Sequence, residues 1–289
     1  MSVCGRRFSV LLLVLTGGGL CGCATSPIAL PEMHENGPVR IMLMESPMRV
    51  GPGRLQSVLA PGVKRKLAMS EQPLSEDIQH AQRHASAAMQ SALTSRSGLV
   101  VVAPPAMEEP FLSTIESRDL KAALSQKEAD RIRSTTGADA LLRFDITDYG
   151  LTPKSWRTAY VTFEVTSTLA IAGFIAYPGS TVARAAAGAY LVQETVEEAT
   201  EAYAGFWGLD VVCRPVRIEA ELIGLDPVSV LWKTSETGLS NVRLFRLVSK
   251  VGPDKKNVQL DQATDHAARD IAFALSGALR NAGPVARTP

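Results

Sequence analysis

The sequence predicts an α/β (α+β) fold, a single mixed sheet packed with helices and interrupted by an Ala/Gly-rich helical insert. Three observations carry this reading. Short apolar runs such as 99–103 (LVVVA) are bounded by Gly and Pro, as in strands covered on both faces. Segments of helical period, at 75–94, 118–134 and 260–280, alternate with those runs. Two stretches near 142–147 and 216–222 switch strictly between apolar and polar residues, the pattern of half-buried strands.

Composition agrees. The chain has 289 residues, 46% hydrophobic and 20% charged, which suits a folded domain with a real core. Thirty Lys+Arg against 29 Asp+Glu leave a net charge of +1. That balance lacks the basic face of a dedicated nucleic-acid binder, so no nucleic-acid partner is expected.

Taken in order, the first strand begins at Pro38 and ends at Glu45, and 46–72 reads as a long loop carrying the basic patch Lys64, Arg65, Lys66. A helix follows with Ser75 as N-cap, Glu76 and Asp77 in its first turn, and an apolar stripe through Ile78, Ala81, Ala85, Met89 and Leu93. The strand 99–103 stops at Pro104-Pro105, and the helix 118–134 stops at Thr136-Gly137-Ala138. In the next strand Leu142, Phe144 and Ile146 face one way, Arg143, Asp145 and Thr147 the other. Residues 156–163 read as its hairpin partner. A second hairpin pairs 216–222 with 228–232 across Asp226-Pro227, and the last helix runs from Leu260 to Arg280.

The amino terminus joins Arg6 and Arg7 to a short apolar run from Phe8 to Leu15 and then to small residues, the layout of a secretory signal. Leu20-Cys21-Gly22-Cys23 resembles the lipobox of bacterial lipoproteins. The resemblance makes Cys23 the lipidated residue, carrying diacylglycerol and an N-acyl chain, and several acyl chains give stable anchoring. Cys21 fits less well, because Leu20 stands where a small residue belongs. Ala24 at the second mature position implies outer-membrane sorting in such proteins. The expected organisation is a signal peptide 1–22, a lipidated tether 23–37, a periplasm-facing domain 38–283 with a hydrophobic insert 165–205, and a tail 284–289. Losing Arg6 and Arg7 takes the net charge from +1 to −1. Of four cysteines Cys213 alone would stay a thiol, which excludes an internal disulfide and reads as a buried structural group.

The segments 136–146 (TGADALLRFDI) and 216–233 (VRIEAELIGLDPVSVLWK) resemble the α/β periplasmic lipoproteins grouped with the amino-terminal domain of TolB and with CsgG. The likeness covers roughly 38–280, with Pro227-Val228 standing where members often carry Thr-Gly. It implies a non-enzymatic part of an envelope assembly, in some members with membrane-crossing inserts and rings.

The insert holds 19 uncharged residues from Val165 to Ala183, between Glu164 and Arg184. Gly179, Ala183 and Ala187 recur at fourfold spacing, which lets helix backbones approach closely. Three roles compete: a buried helical hairpin covering the sheet, a membrane-associating element, and a subunit interface. The first needs only ordinary core formation and is the leading expectation. Phe206 and Trp207 are candidates for an interface or a bilayer surface.

Catalytic signatures for phosphate loops, nucleophile elbows or zinc helices do not occur in the sequence. Glu76, His80 and His84 share one helix face, but that face lies opposite the apolar stripe and reads as solvated. Asp145, Asp148, Glu219 and Glu221 could serve acid–base chemistry, and read more simply as the solvent face of a sheet. The sequence therefore predicts no metal, no catalytic residue and no cofactor beyond the lipid. The leading expectation is an envelope scaffold or accessory working in assembly or export, through a protein partner or self-association. The alternatives are an oligomeric secretion-channel subunit and, on weaker grounds, an envelope hydrolase.

Overall fold

The computed structural model describes residues 38–48, 71–103, 120, 122–177, 179–208, 210, 213–240 and 253–281. The expected signal peptide, lipobox, tether, basic patch and tail lie outside them.

Five strands form one mixed sheet, β1 (Val39–Glu45), β2 (Leu99–Val102), β3 (Ala140–Tyr149), β4 (Val216–Leu225) and β5 (Val228–Gly238), in the order β2-β1-β3-β4-β5. The β1 strand runs parallel to both β2 and β3, and the β3–β4 and β4–β5 pairs are antiparallel. The chain is thus α/β, as the alternation of strand and helix patterns predicts. The helices are α1 (Glu71–Thr94), α2 (Gln126–Thr136), α3 (Lys154–Ala176), α4 (Thr181–Gly208) and α5 (Pro253–Asn281).

Each face of the sheet has its own core. Alternation puts Ala140, Leu142, Phe144 and Ile146 of β3 on the face covered by α1 and α5, with Ala85, Met89, Ala267 and Ile271 against them. Met42, Met44, Leu141, Ile223 and Leu225 point the other way, onto Ala129 and Ile132 of α2. Both parallel neighbours of β1 are reached by helical crossovers, as parallel pairing requires.

Local chemistry moves several helix ends from where periodicity put them. The α2 helix begins at Gln126 rather than 118, because Ser125 and Glu128 form a reciprocal capping box. It ends at Gly137, whose φ of 64° is left-handed and whose amide reaches the Arg133 carbonyl at 2.8 Å. The α1 helix starts at Glu71, ahead of the expected Ser75 cap, with Pro73 tolerated in its first turn. Pro253 opens α5 seven residues before Leu260, at the position where a missing N–H costs nothing.

Residues 156–163 are not a strand. They form the start of α3, where the Trp156 and Arg157 amides reach the Pro153 carbonyl at 3.1 and 3.2 Å. Their β-branched and aromatic residues express a preference that tertiary context overrides. The insert consequently becomes one antiparallel hairpin, α3–α4, longer at both ends than 165–205.

Candidate functional site

The hairpin does not cover the sheet. Among the described residues its two helices pack on each other and on no other helix or strand to any appreciable extent. Tyr160, Thr168 and Ala172 of α3 and Ala187 of α4 are buried, which marks the seam between the arms. Tyr160 meets Phe206 edge-on, with ring centroids 5.5 Å apart. Outside that seam the apolar surface is open. Val161, Phe163, Val165, Leu169 and Phe174 are 50–83% exposed and, at about 100° per residue, they point to most sides of α3. A helix apolar on most sides is ordinarily sunk in a core or in lipid, and a contiguous apolar surface of this kind marks an interaction site. Among the described residues α3 is the one helix long and apolar enough, by length and composition, to cross a membrane.

The small-residue stripe divides. Ala187 sits in the α3–α4 seam and Ala183 is half-buried, whereas Gly179 is not helical. It lies in the turn at the hairpin's apex with φ 73°, a left-handed conformation that favours glycine. Close backbone approach therefore serves the hairpin's own seam at Ala187, not a stripe through all three positions. Phe206 belongs to the base of the hairpin. Trp207 is in α4, with its side chain outside the described part of the structure, and Cys23, Leu20, Cys21 and Gly22 are likewise outside.

The base is built on Asp210. Its Oδ1 accepts the Thr152 amide and hydroxyl at 2.5 and 2.6 Å, and its Oδ2 accepts Arg157 Nη2 at 2.6 Å. The Arg157 guanidinium also lies 5.3 Å from the centre of the Phe206 ring, a cation–π contact. Next to it Arg214 is 5% exposed, has φ 41°, and donates from Nε to Gln259 Oε1 at 3.0 Å. Burial pulls the Arg214 pKa down, with Asp210 acting against that shift. Lys256 is lowered by burial and then by Arg214. One carboxylate thus ties the end of β3, the first turn of α3 and the entry to β4. Nothing in the spacing of a lone Asp210 among apolar residues signals this role.

The candidate chemical groups have structural explanations. His80 and His84 lie along the edge of α5: His80 Nε2 is 3.2 Å from Asp261 Oδ1 with its side chain still exposed, and the part-buried His84 has Nε2 3.1 Å from Asp265 Oδ1. The expected solvated face therefore holds at His80, while the α1–α5 packing partly covers His84; the Glu76 side chain lies outside the described residues. Among the described residues no group of three or more His, Cys, Asp or Glu could hold a metal ion. His266 donates from Nδ1 to the Leu239 carbonyl at 2.6 Å.

Three of the four acids of β3 and β4 do not form a solvent face, and only Glu219 is partly exposed. Asp145 is fully buried, Asp148 and Glu221 nearly so. Glu221 is ion-paired with Arg143 and lies 2.9 Å from Lys233 Nζ, and Arg143 also donates to the Leu120 carbonyl at 2.8 Å. The alternation is as predicted. What the pattern omits is a second layer over the polar side of the strands. Cys213 is buried, and burial raises its thiol pKa, which suits an inert structural group.

A cavity of about 840 Å³ opens at the carboxyl ends of β1 and β2, lined in part by Glu45, Gln79, Gln82, Arg83, Ser86 and Gln90. Ser86 donates to Glu45 there. Among the described residues that line it there is no imidazole and no thiol, and the base beside the Ser86 hydroxyl is the Glu45 carboxylate.

No family model and no curated protein matches this chain. Among solved structures, a hypothetical protein from Chlamydia trachomatis aligns with a TM-score of 0.39 and 8% identity, over 84% of this chain and 98% of that one.

Proposed function

We propose that the protein is a non-enzymatic lipoprotein of the outer membrane, anchored through acylated Cys23 and facing the periplasm, that serves as a scaffold or accessory in envelope assembly or export. The observation that carries the reading is the α3–α4 hairpin, an arm with open apolar flanks set on a body whose sheet is covered on both faces. The body supplies rigidity and the hairpin's flanks supply the contact for an envelope protein. Support for the anchor comes from the order of basic, apolar and lipobox residues before Cys23.

The test is metabolic labelling with palmitate followed by separation of the membranes, together with an envelope-permeability assay. Label should appear in the outer membrane and vanish in Cys23→Ala. Leu169→Glu, on the flank of α3, should keep the label and raise detergent sensitivity. An unlabelled wild-type protein sinks the anchor, and an intact barrier in Leu169→Glu sinks the scaffold.

A second reading, an oligomeric channel subunit whose hairpin crosses the bilayer, draws on the length and apolarity of α3. It requires a detergent-resistant oligomer of defined mass in native mass spectrometry.

A further inference from the structure

The three most exposed large apolar side chains among the described residues are Tyr177 (88%), Phe174 (83%) and Val182 (79%). All three fall within nine residues, at the apex where α3 turns into α4. Gly179 makes the turn, and Ser180 accepts the Ala183 amide at 3.1 Å to start α4. Arg184, exposed, stands about one turn into α4.

The charges set how deep this apex can go. From Val165 to the end of α3 the arm is uncharged over about 18 Å, and behind it stand Glu164 and, on the other arm, Glu194, Glu197, Glu198 and Glu201. A hydrocarbon core is about 30 Å thick, so a spanning hairpin would draw those acids into lipid. Arg184, roughly 5 Å from the apex, sets a nearer limit. Insertion by about 5–10 Å, the depth of interfacial elements, buries Phe174, Tyr177 and Val182 and leaves Arg184 level with the phosphates. Two aromatic residues and a cation at the tip are the set that a headgroup boundary accommodates, and anionic lipid adds attraction for Arg184.

We infer that the hairpin's apex docks shallowly into the surface of a phospholipid bilayer through Phe174, Tyr177 and Val182, with Arg184 on lipid phosphate. This contact is independent of acylation at Cys23. It leaves the flanks at Val161, Val165 and Leu169 free for a protein, and gives the body a second attachment to a membrane.

The test places a nitroxide at Val182→Cys in the full acylated protein, with a second label at the exposed Ser229→Cys near the start of β5. The protein is reconstituted on vesicles of phosphatidylethanolamine and phosphatidylglycerol. At 182 the label should collide several-fold more often with oxygen than with a water-soluble nickel chelate, and at 229 it should favour the chelate. Adding Phe174→Ser and Tyr177→Ser should return the 182 label to water, and Arg184→Glu should weaken its protection on anionic vesicles.

A water-exposed label at 182 overturns the inference. So does protection that rises with protein concentration in the absence of vesicles, which would mean a second copy covers the apex. Equal immersion of a label at Val192→Cys, far down α4, would mean a spanning hairpin and overturns it too. The mass of the same sample reports acylation separately, so failure of the anchor and failure of the apex contact are told apart.

Discussion

Gly238 of β5 and Ala263 of α5 approach so closely that a Cβ on Gly238 would lie 1.9 Å from the Ala263 carbonyl oxygen and 2.5 Å from the Ala267 amide nitrogen. Helix backbone, not a movable side chain, fills the space. Gly238→Ala should therefore cost about 3 kcal/mol, at the upper end of overpacking penalties, read as a lower urea midpoint. Gly277→Ala in the same helix meets nothing within 4 Å and should stabilise by about 0.5–1 kcal/mol. Equal effects at the two sites would disprove the close approach.

Arg143 and Glu221 face each other on β3 and β4, each side chain 3% exposed. Removing Glu221 strands the buried Arg143 charge, so Glu221→Leu should lose about 3–5 kcal/mol, whereas Arg143→Met leaves Glu221 paired with Lys233 and should lose less. The double variant should be more stable than either single one, because no unpaired ion is left between the strands. A double variant with the summed losses of the two singles would show that the pair is not coupled.

Asp210 satisfies three donors at the base of the hairpin and is the acid beside Arg214. Asp210→Ala should destabilise by about 2 kcal/mol and speed amide exchange in the first turn of α3, where Arg157 is held. Asp210→Asn, which keeps a carbonyl facing Thr152, should lose less. Unchanged exchange near Arg157 in Asp210→Ala would remove the latch from the account.

Burial raises the Glu236 carboxyl pKa above its ordinary 4.5, and Asp270 pushes the same way, while the Thr234 hydroxyl at 2.9 Å and Arg217 oppose it. The native state then holds this proton more tightly than the unfolded chain. The stabilisation it brings is complete below the ordinary value and lost as pH climbs through the raised one. Glu236→Gln should gain on the wild type in urea midpoint between acid pH and neutrality. Parallel pH curves for the two proteins would rule the effect out.

How much of this was readable in advance depends on whether neighbours in the chain or neighbours in space decide the matter. The mixed α/β sheet was, because period 2 at 142–147 and 216–222 and period 3.6 in α1, α2 and α5 are local signals that no partner is needed to read. The seam residue Ala187 was singled out for its small size, while its actual partner, the other arm of the same hairpin, came only from the folded chain.

Other points needed the tertiary structure throughout. Residues 156–163 carry side chains that suit strand and helix alike, and only their continuation from Pro153 into α3 resolves them. His84, Asp145 and Glu221 looked solvated because a pattern marks which side of an element is polar, not what is packed against that side. The hairpin shows the reverse. Its apolarity predicted burial, yet its flanks and apex stand open, since a sequence records the hydrophobic surface a segment owns, whereas the space left over the sheet is decided by α1, α2 and α5 having already filled it.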